Sequence, residues 1–277
     1  MKNIENEISR IKAGIVGRGG MQEIYRRCFS LIDLTTLNST DTPSKVAGMI
    51  EKVNGFKDIY PTYPSVAAVC VYPNFAEQVR SQLKVDSVKI AVVAGVFPSS
   101  QSFPEIKIAE CRMAVEKGAD EVDIVLALSK FLDNDKRGTF EEIKSIKEAI
   151  GEKHLKVILE TGALKEPGLI AEASSLAIGA GADFIKTSTG KMEPAATPEA
   201  AYIMCSKIRE HFEKTGKRIG FKPAGGISTP GEAVLYYAIV EDVLGKDWLN
   251  PQLFRIGASR LANNLLTEIE GKTINYF

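Results

Sequence analysis

Residues 181–226 read GADFIKTSTGKMEPAATPEAAYIMCSKIREHFEKTGKRIGFKPAGG. Two short apolar runs in this stretch, 183–187 and 218–222, are typical of parallel strands that are buried on both faces. Between them, Thr197-Pro198-Glu199 predicts the start of a helix, because threonine caps free N–H groups and proline fits the first helical position. The stretch therefore predicts one strand–helix–strand unit of an α/β fold.

The same alternation of short apolar runs and amphipathic segments continues along the chain. The predicted strands are 29–34, 66–72, 88–97, 121–126, 156–160, 183–187, 218–222 and 254–256. Eight such units without a break in composition favour a single (β/α)8 TIM barrel over residues 29–277, with residues 1–28 as an N-terminal helical extension. Two smaller domains also fit the length. An open doubly wound sheet is the structural alternative, although no Gly-x-Gly-x-x-Gly turn follows the first strand.

Composition excludes several classes of function. Thirty-five basic side chains balance thirty-five acidic ones, so no net field attracts nucleic acid or an anionic membrane. The two histidines lie far apart and the four cysteines form no Cys-x-x-Cys pair, which argues against a metal site and a disulfide framework. No signal peptide or transmembrane run is visible, and a cytoplasmic location is the resulting prediction.

Four ionisable residues interrupt or end the apolar runs: Asp33, Asp123, Lys186 and Lys222. A charge inside a buried strand is costly because desolvation disfavours it. Most of the four lie near the carboxyl end of a strand, the face on which barrel enzymes build their sites. Structural ion pairs inside the barrel are the alternative. The convergence of two lysines and two aspartates on one rim favours a catalytic site.

Two lysines on neighbouring strands suggest Schiff-base chemistry. A lysine amine is a nucleophile only when it is neutral, and burial beside a second cation lowers its pKa toward that state. A Schiff base is an electron sink, and a carboxylate such as Asp123 can move protons beside it. This chemistry needs neither a metal nor an organic cofactor. Spacing alone leaves open whether Lys186 or Lys222 is the nucleophile.

Small residues after the last strands predict a phosphate site. Gly225-Gly226 follows strand seven and Gly257-Ala258-Ser259 follows strand eight, the usual position of the phosphate site in a barrel. Thr187-Ser188-Thr189-Gly190-Lys191, after strand six, adds hydroxyl groups and a cation. Each glycine pair by itself is also compatible with a simple tight turn.

With these residues the chain resembles the deoxyribose-phosphate aldolase family. The matching segments are IDLTTL (32–37), VCVYP (69–73), GADEVD (118–123), ETG (160–162), GADFIKTSTGK (181–191), GFKPAGG (220–226) and FRIGAS (254–259). The resemblance implies a metal-free aldolase that cleaves 2-deoxyribose 5-phosphate to glyceraldehyde 3-phosphate and acetaldehyde. It also implies a homodimer.

The resemblance assigns roles by position. It implies Lys186 as the Schiff-base lysine, with Asp123 and Lys222 perturbing it and relaying protons. The implied substrate-binding residues are Asp33 and Thr35 near the sugar hydroxyls, and Gly190, Lys191, Gly225, Gly226 and Ser259 at the phosphate.

The chain departs from the family pattern in the phosphate region. Ser228 stands where relatives often carry arginine, and Arg260 stands where many have a small hydroxyl residue. Arg260 is therefore a candidate phosphate ligand, with a solvent-facing arginine as the alternative. Tyr276 is a candidate for a C-terminal tyrosine that folds over the site, with a frayed terminus as the alternative.

Two rival functions stay open at this point. One is another Schiff-base aldolase on the same barrel, acting on a keto-deoxy acid or a ketose phosphate. The other is a non-catalytic barrel that binds a sugar phosphate, which the joint presence of Lys186, Lys222 and Asp123 argues against.

Overall fold

The computed structural model describes residues 2–277 and contains eight parallel strands in one sheet. The strands are β1 (Ile32–Thr35), β2 (Ala68–Val71), β3 (Lys89–Val93), β4 (Glu121–Val125), β5 (His154–Ile158), β6 (Phe184–Lys186), β7 (Gly220–Lys222) and β8 (Ile256–Ala258). Neighbours follow chain order from β1 to β7, and β8 pairs with β1. Bridges from Phe221 to Phe254 and from Ala224 to Gly257 join β7 to the β8 segment. The architecture is the predicted (β/α)8 TIM barrel.

Helices surround the barrel. They are α1 (Lys2–Ile15), α2 (Met21–Ser30), α3 (Pro43–Ile59), α4 (Ala76–Gln82), α5 (Pro104–Glu116), α6 (Leu128–Leu132), α7 (Lys136–Ile150), α8 (Thr161–Leu164), α9 (Pro167–Gly179), α10 (Pro198–Thr215), α11 (Pro230–Leu244) and α12 (Leu261–Glu270). Two short 3₁₀ turns cover Pro73–Phe75 and Lys246–Trp248. None of the helices in the described part of the chain is long and apolar enough to cross a membrane.

The predicted helix starts have the expected caps. The side chain of Thr197 accepts a hydrogen bond from the backbone N–H of Ala200, and proline occupies the first position of α10. Thr229 and Glu232 form a reciprocal capping box at the start of α11. These local contacts satisfy N–H groups that have no partner inside the helix.

Several predicted strand boundaries were wrong by two residues or more, including those of the first, third, fifth and eighth strands. Phe29 and Ser30 end α2, so the first strand begins later than predicted. The third strand stops at Val93. Gly95 and Val96 adopt positive φ angles, and the N–H of Val96 donates to the carboxylate of Glu110, so the backbone leaves the sheet. The eighth strand is shifted toward the C-terminus and includes Ala258. Apolar composition continues past the point where the backbone leaves the ladder, so composition alone misplaces these ends.

The N-terminal helices pack on the outside of the barrel. Helix α1 contacts α10 and α11, and α2 contacts α11 and α12. Ile8 and Ile11 are buried in these contacts. Arg10 pairs with Asp242 at 2.6 Å and Arg18 pairs with Glu241 at 2.7 Å. The division into an extension and a barrel at residue 28 stays a prediction.

Candidate active site

The three predicted catalytic residues meet inside the barrel. Lys186 and Lys222 are register partners on β6 and β7. Asp123 points inward from β4, and its Oδ2 accepts hydrogen bonds from Lys186 Nζ at 2.9 Å and from Lys222 Nζ at 2.8 Å. All three side chains are buried. One carboxylate oxygen thus connects the two lysines.

Three further charged residues belong to this cluster, and the sequence reasoning missed them. Lys156 Nζ donates to Asp123 Oδ1 at 3.1 Å and also pairs with Glu121. Glu121 in turn receives a two-pronged contact from Arg255. Lys156, Glu121 and Arg255 each lie within or beside an apolar strand. Asp123 was identified because it is an ionisable residue in such a strand, and the same criterion applied to every strand finds these three residues as well.

Asp33 belongs to the same buried cluster and does not line the cavity at the carboxyl ends of the strands. It is fully buried and its Oδ2 is 2.5 Å from Lys222 Nζ, an ion-pair distance without hydrogen-bond alignment. Its Oδ1 accepts a hydrogen bond from Arg255 at 2.7 Å. The structure therefore places Asp33 against Lys222, whereas the sequence reasoning expected it beside the sugar hydroxyls.

The charges of the cluster do not balance. Four basic side chains (Lys156, Lys186, Lys222 and Arg255) meet three carboxylates (Asp33, Glu121 and Asp123). If every group is ionised, the buried cluster carries one excess positive charge. Because an uncompensated buried charge is costly, the arrangement favours one neutral lysine.

The directions of the pKa shifts indicate which lysine of the cluster is favoured to be neutral. Burial lowers the pKa of Lys186 below its ordinary value, and the cation on Lys222 acts in the same direction against the pull of Asp123. Although burial also opposes charge on Lys222, the carboxylates of Asp123 and Asp33 raise its pKa. Burial opposes charge on Lys156 as well, yet Asp123 and Glu121 raise its pKa. Lys186 is the lysine of this cluster whose pKa moves toward the neutral amine.

Lys186 also opens to a cavity, of about 300 Å³, which has mostly polar walls at the carboxyl ends of the strands. Lys186 lies in its lining, whereas Lys222 does not. The predicted binding residues found in the lining are Thr35, Gly190, Lys191, Gly225, Gly226, Ser259 and Arg260. The barrel thus brings Lys186 and the loops of the predicted phosphate site after β6, β7 and β8 (the anion loops) to one cavity.

The anion loops approach each other closely. Gly190 and Gly225 both have positive φ, and a Cβ added to Gly225 would lie 3.2 Å from the Cα of Gly190. Glycine at both positions therefore leaves backbone open to the cavity. Lys191 extends across the cavity and its Nζ donates to the carbonyl of Leu37. Helix α12 begins directly after Ser259 and Arg260, so its positive N-terminal end adjoins the same space.

Comparison with known proteins assigns a family to this chain. A model of the DeoC/LacD family aldolases matches residues 28–246. A Caenorhabditis elegans protein described as a "Putative deoxyribose-phosphate aldolase" is 46% identical over 245 residues, which cover 87% of this chain and 80% of the relative. The chain belongs to the DeoC/LacD aldolase family. It is therefore an enzyme of the carbon–carbon lyase class.

Solved structures agree with this DeoC/LacD fold. A Toxoplasma gondii protein with the same description as the nematode relative superimposes with a TM-score of 0.79 at 24% identity, covering 90% of this chain and 95% of its own. An aldolase named QR15 gives a TM-score of 0.71 at 28% identity, covering 88% of this chain and 96% of its own. A tetrameric deoxyribose phosphate aldolase from Aeropyrum pernix gives 0.69 at 22% identity, covering 93% and 96%.

The stretch matched by the DeoC/LacD model includes Asp123, Lys186 and Lys222 but ends before β8. Arg255, Ser259 and Arg260 lie beyond it. The Ser228 and Arg260 departures are both in the cavity lining. The structure thus brings the cation of Arg260 to the cavity in which Ser228 supplies none.

The C-terminus does not cover the DeoC/LacD cavity. The hydroxyl of Tyr276 donates to the carbonyl of Lys52 at 2.7 Å, and its ring contacts Phe56 on α3 and Tyr60 directly after α3. Tyr276 is therefore neither folded over the cavity nor frayed. Apolar contact with Phe56 and Tyr60 stabilises this position of the C-terminus.

One buried residue that anchors the anion loop was not identified from sequence. Glu160 follows β5 with φ of 53°, and its carboxylate accepts hydrogen bonds from both the N–H and the hydroxyl of Thr189. Thr189 immediately precedes Gly190. The quoted Glu160-Thr161-Gly162 segment contained the signal, but sequence alone does not show what the carboxylate contacts.

Proposed function

We propose that this DeoC/LacD aldolase cleaves 2-deoxyribose 5-phosphate through a Schiff base on Lys186, giving glyceraldehyde 3-phosphate and acetaldehyde. The observation that carries the proposal is a cavity-facing lysine with a lowered pKa, bonded to the carboxylate that also binds a second lysine. The cavity also contains cationic and glycine-rich walls suited to a phosphate.

The chemistry follows from these positions. The neutral amine of Lys186 attacks the aldehyde carbon of the open-chain sugar, and loss of water leaves a protonated imine. Removal of the 3-hydroxyl proton breaks the bond between carbons 2 and 3, and its electron pair moves into the imine to form an enamine. Glyceraldehyde 3-phosphate leaves. Protonation of the enamine and hydrolysis then release acetaldehyde and restore Lys186.

Asp123 links the two lysines during these steps. Its Oδ2 accepts hydrogen bonds from both amines, so Asp123 can take up and return the protons that Lys186 loses and regains over a short hydrogen bond, beside the cation of Lys222. Lys222 stays charged, because Asp123 and Asp33 outweigh the effect of burial on its pKa. It thereby keeps Lys186 neutral.

Borohydride trapping tests the covalent step. Reduction in the presence of deoxyribose 5-phosphate should fix an adduct on the peptide that contains Lys186, with acetaldehyde released in the unreduced control. Activity should survive EDTA. An adduct on Lys222, or no adduct, would overturn the assignment. Trapping without acetaldehyde release would instead favour a Schiff-base aldolase acting on a keto-deoxy acid or a ketose phosphate.

Arg260 gives a test of substrate class. A charge-assisted hydrogen bond to phosphate contributes about 1.5–3 kcal/mol, or roughly ten- to hundred-fold in binding. Arg260→Ser should therefore raise KM for deoxyribose 5-phosphate on that scale and leave reaction with unphosphorylated deoxyribose nearly unchanged. Gln252→Ser, at an exposed position outside the cavity lining, is the control. Equal effects on both sugars would remove Arg260 from the phosphate site.

We also propose a homodimer and a cytoplasmic location for this enzyme. The homodimer comes from the family resemblance, while the Aeropyrum pernix relative is described as tetrameric. Sedimentation equilibrium of the purified protein distinguishes two copies from four.

A further inference from the structure

Six of the seven residues in the buried charged cluster form a closed ring of ion pairs, which we call the charge ring. Each member contacts two members of opposite charge, and all six are buried. The order around the charge ring is Glu121, Lys156, Asp123, Lys222, Asp33 and Arg255, and Arg255 closes the ring on Glu121. Three cations alternate with three carboxylates, so the charge ring is balanced without Lys186.

Lys186 is attached to the charge ring as a seventh group. Its amine donates to Asp123, whose carboxylate already binds Lys156 through Oδ1 and Lys222 through Oδ2. The thiol of Cys70 also acts on Lys186, but burial raises the pKa of that thiol, so it is uncharged at neutral pH. Each carboxylate of the charge ring is thus shared by two ring cations, and none is left to balance a proton on Lys186.

The directions of the pKa shifts separate Lys186 from the charge ring in the same way. Burial opposes charge on all seven groups. Opposite charges on the neighbours nevertheless lower the pKa of the three ring carboxylates and raise the pKa of the three ring cations. Among the seven, burial prevails for Lys186 alone, and the pKa of its amine falls.

We propose that Glu121 and Arg255 are positioning residues, which close the charge ring and thereby set how readily the amine of Lys186 takes up a proton. They lie two and three contacts along the ring from Asp123. Without Arg255, two ring cations face three carboxylates, and a proton on Lys186 restores the balance. Without the charge on Glu121, the ring has an excess cation, and a proton on Lys186 becomes more costly. His154 lies 3.9 Å from Glu121, but burial lowers its pKa and favours the neutral imidazole.

This inference deepens the proposed function, because a lysine must be neutral to form a Schiff base. The charge of Lys186 can nevertheless be measured without substrate. Competitive labelling with acetic anhydride over a range of pH, read by mass spectrometry of the peptide that contains Lys186, gives the apparent pKa of its amine.

Substitutions of opposite charge should move this pKa in opposite directions. Arg255→Met should raise it and Glu121→Gln should lower it, each by about one pH unit, since two charges about 10 Å apart in a protein interior interact on that scale. The acid limb of the pH–rate profile should move in the same directions. Lys156→Met removes a different ring cation and should also raise the pKa, so the test does not depend on the folding of one variant.

Two control variants separate charge from structural damage. The double variant Arg255→Met, Glu121→Gln removes one charge of each sign and should return the pKa of Lys186 to near its parent value. Lys107→Met removes another buried lysine, which pairs with Glu142 away from the charge ring, and should lower thermal stability without moving the pKa. Shifts of the same sign in both single variants, or no shift in either, would overturn the role of the charge ring.

Labelling and borohydride trapping test the two proposals separately. If the parent protein gives no borohydride adduct on Lys186 but the labelled amine shifts as expected, the proposed function is wrong and the role of the charge ring stands. If the adduct forms and the shifts are absent, the Schiff-base function stands and the role of Glu121 and Arg255 is wrong.

Discussion

Asp123→Asn should lower kcat for cleavage of deoxyribose 5-phosphate by about a hundred- to ten-thousand-fold, the usual contribution of a positioned acid–base group. Asp123 Oδ2 accepts hydrogen bonds from both Lys186 and Lys222. An amide of the same shape lacks the charge that binds the two amines and cannot take up and return the proton of Lys186. Steady-state acetaldehyde release measures the loss.

The same substitution leaves buried lysines without their carboxylate, and breaking a buried pair in this way costs about 3–5 kcal/mol of stability. The double variant Asp123→Asn, Lys156→Met separates this effect from catalysis. It removes one negative and one positive charge, so the cluster keeps the single excess positive charge of the parent. The double variant should regain thermal stability but remain inactive. Recovery of activity together with stability would make Asp123 a structural residue.

Lys222→Met should lower activity at pH 7 by about a hundred-fold or more, because the fraction of neutral Lys186 falls ten-fold for each unit by which its pKa rises. Without Lys222, three cations face three carboxylates, so Lys186 is favoured to keep its proton. Its pKa is lowered by burial and by Lys222, and the substitution removes the second cause. The acid limb of the pH–rate profile should therefore move to higher pH, with activity partly regained in alkaline solution.

Lys222→Arg is the matched control. It keeps a cation beside Lys186, so the acid limb should stay near its original pH even if the maximal rate falls. A Lys222→Met variant whose profile stayed in place would show that Lys222 does not set the pKa of Lys186.

Local sequence patterns were sufficient to predict the barrel, because each strand and helix carries its own signal. Thr197-Pro198 and Thr229-Pro230 begin helices by contacts within a few residues. The predicted ends of the strands were less accurate than the predicted starts of these helices. The third strand ends where Val96 bonds to Glu110 on α5, a contact that depends on how the helix packs.

The residues of the predicted anion site line one cavity, because they follow strands whose carboxyl ends meet at one rim. The position of Asp33 was harder to predict. It was correctly placed in the first strand, but its partners are Lys222 on β7 and Arg255 directly before β8, which reach it in the barrel interior.

The sequence by itself determined the fold class, the presence of two lysines at neighbouring strand ends and the loops that carry glycine, because these features depend on residues close together in the chain. Spacing left open which of the two lysines is the nucleophile, and the family resemblance implied Lys186; the physical difference between Lys186 and Lys222 comes only from the tertiary structure. Both lysines end a strand beside the same aspartate, but of the two only Lys222 pairs with Asp33, while Lys186 opens to the cavity. The difference in pKa comes from the charges and burial that surround each amine in space, and those arise from strands far apart in the chain.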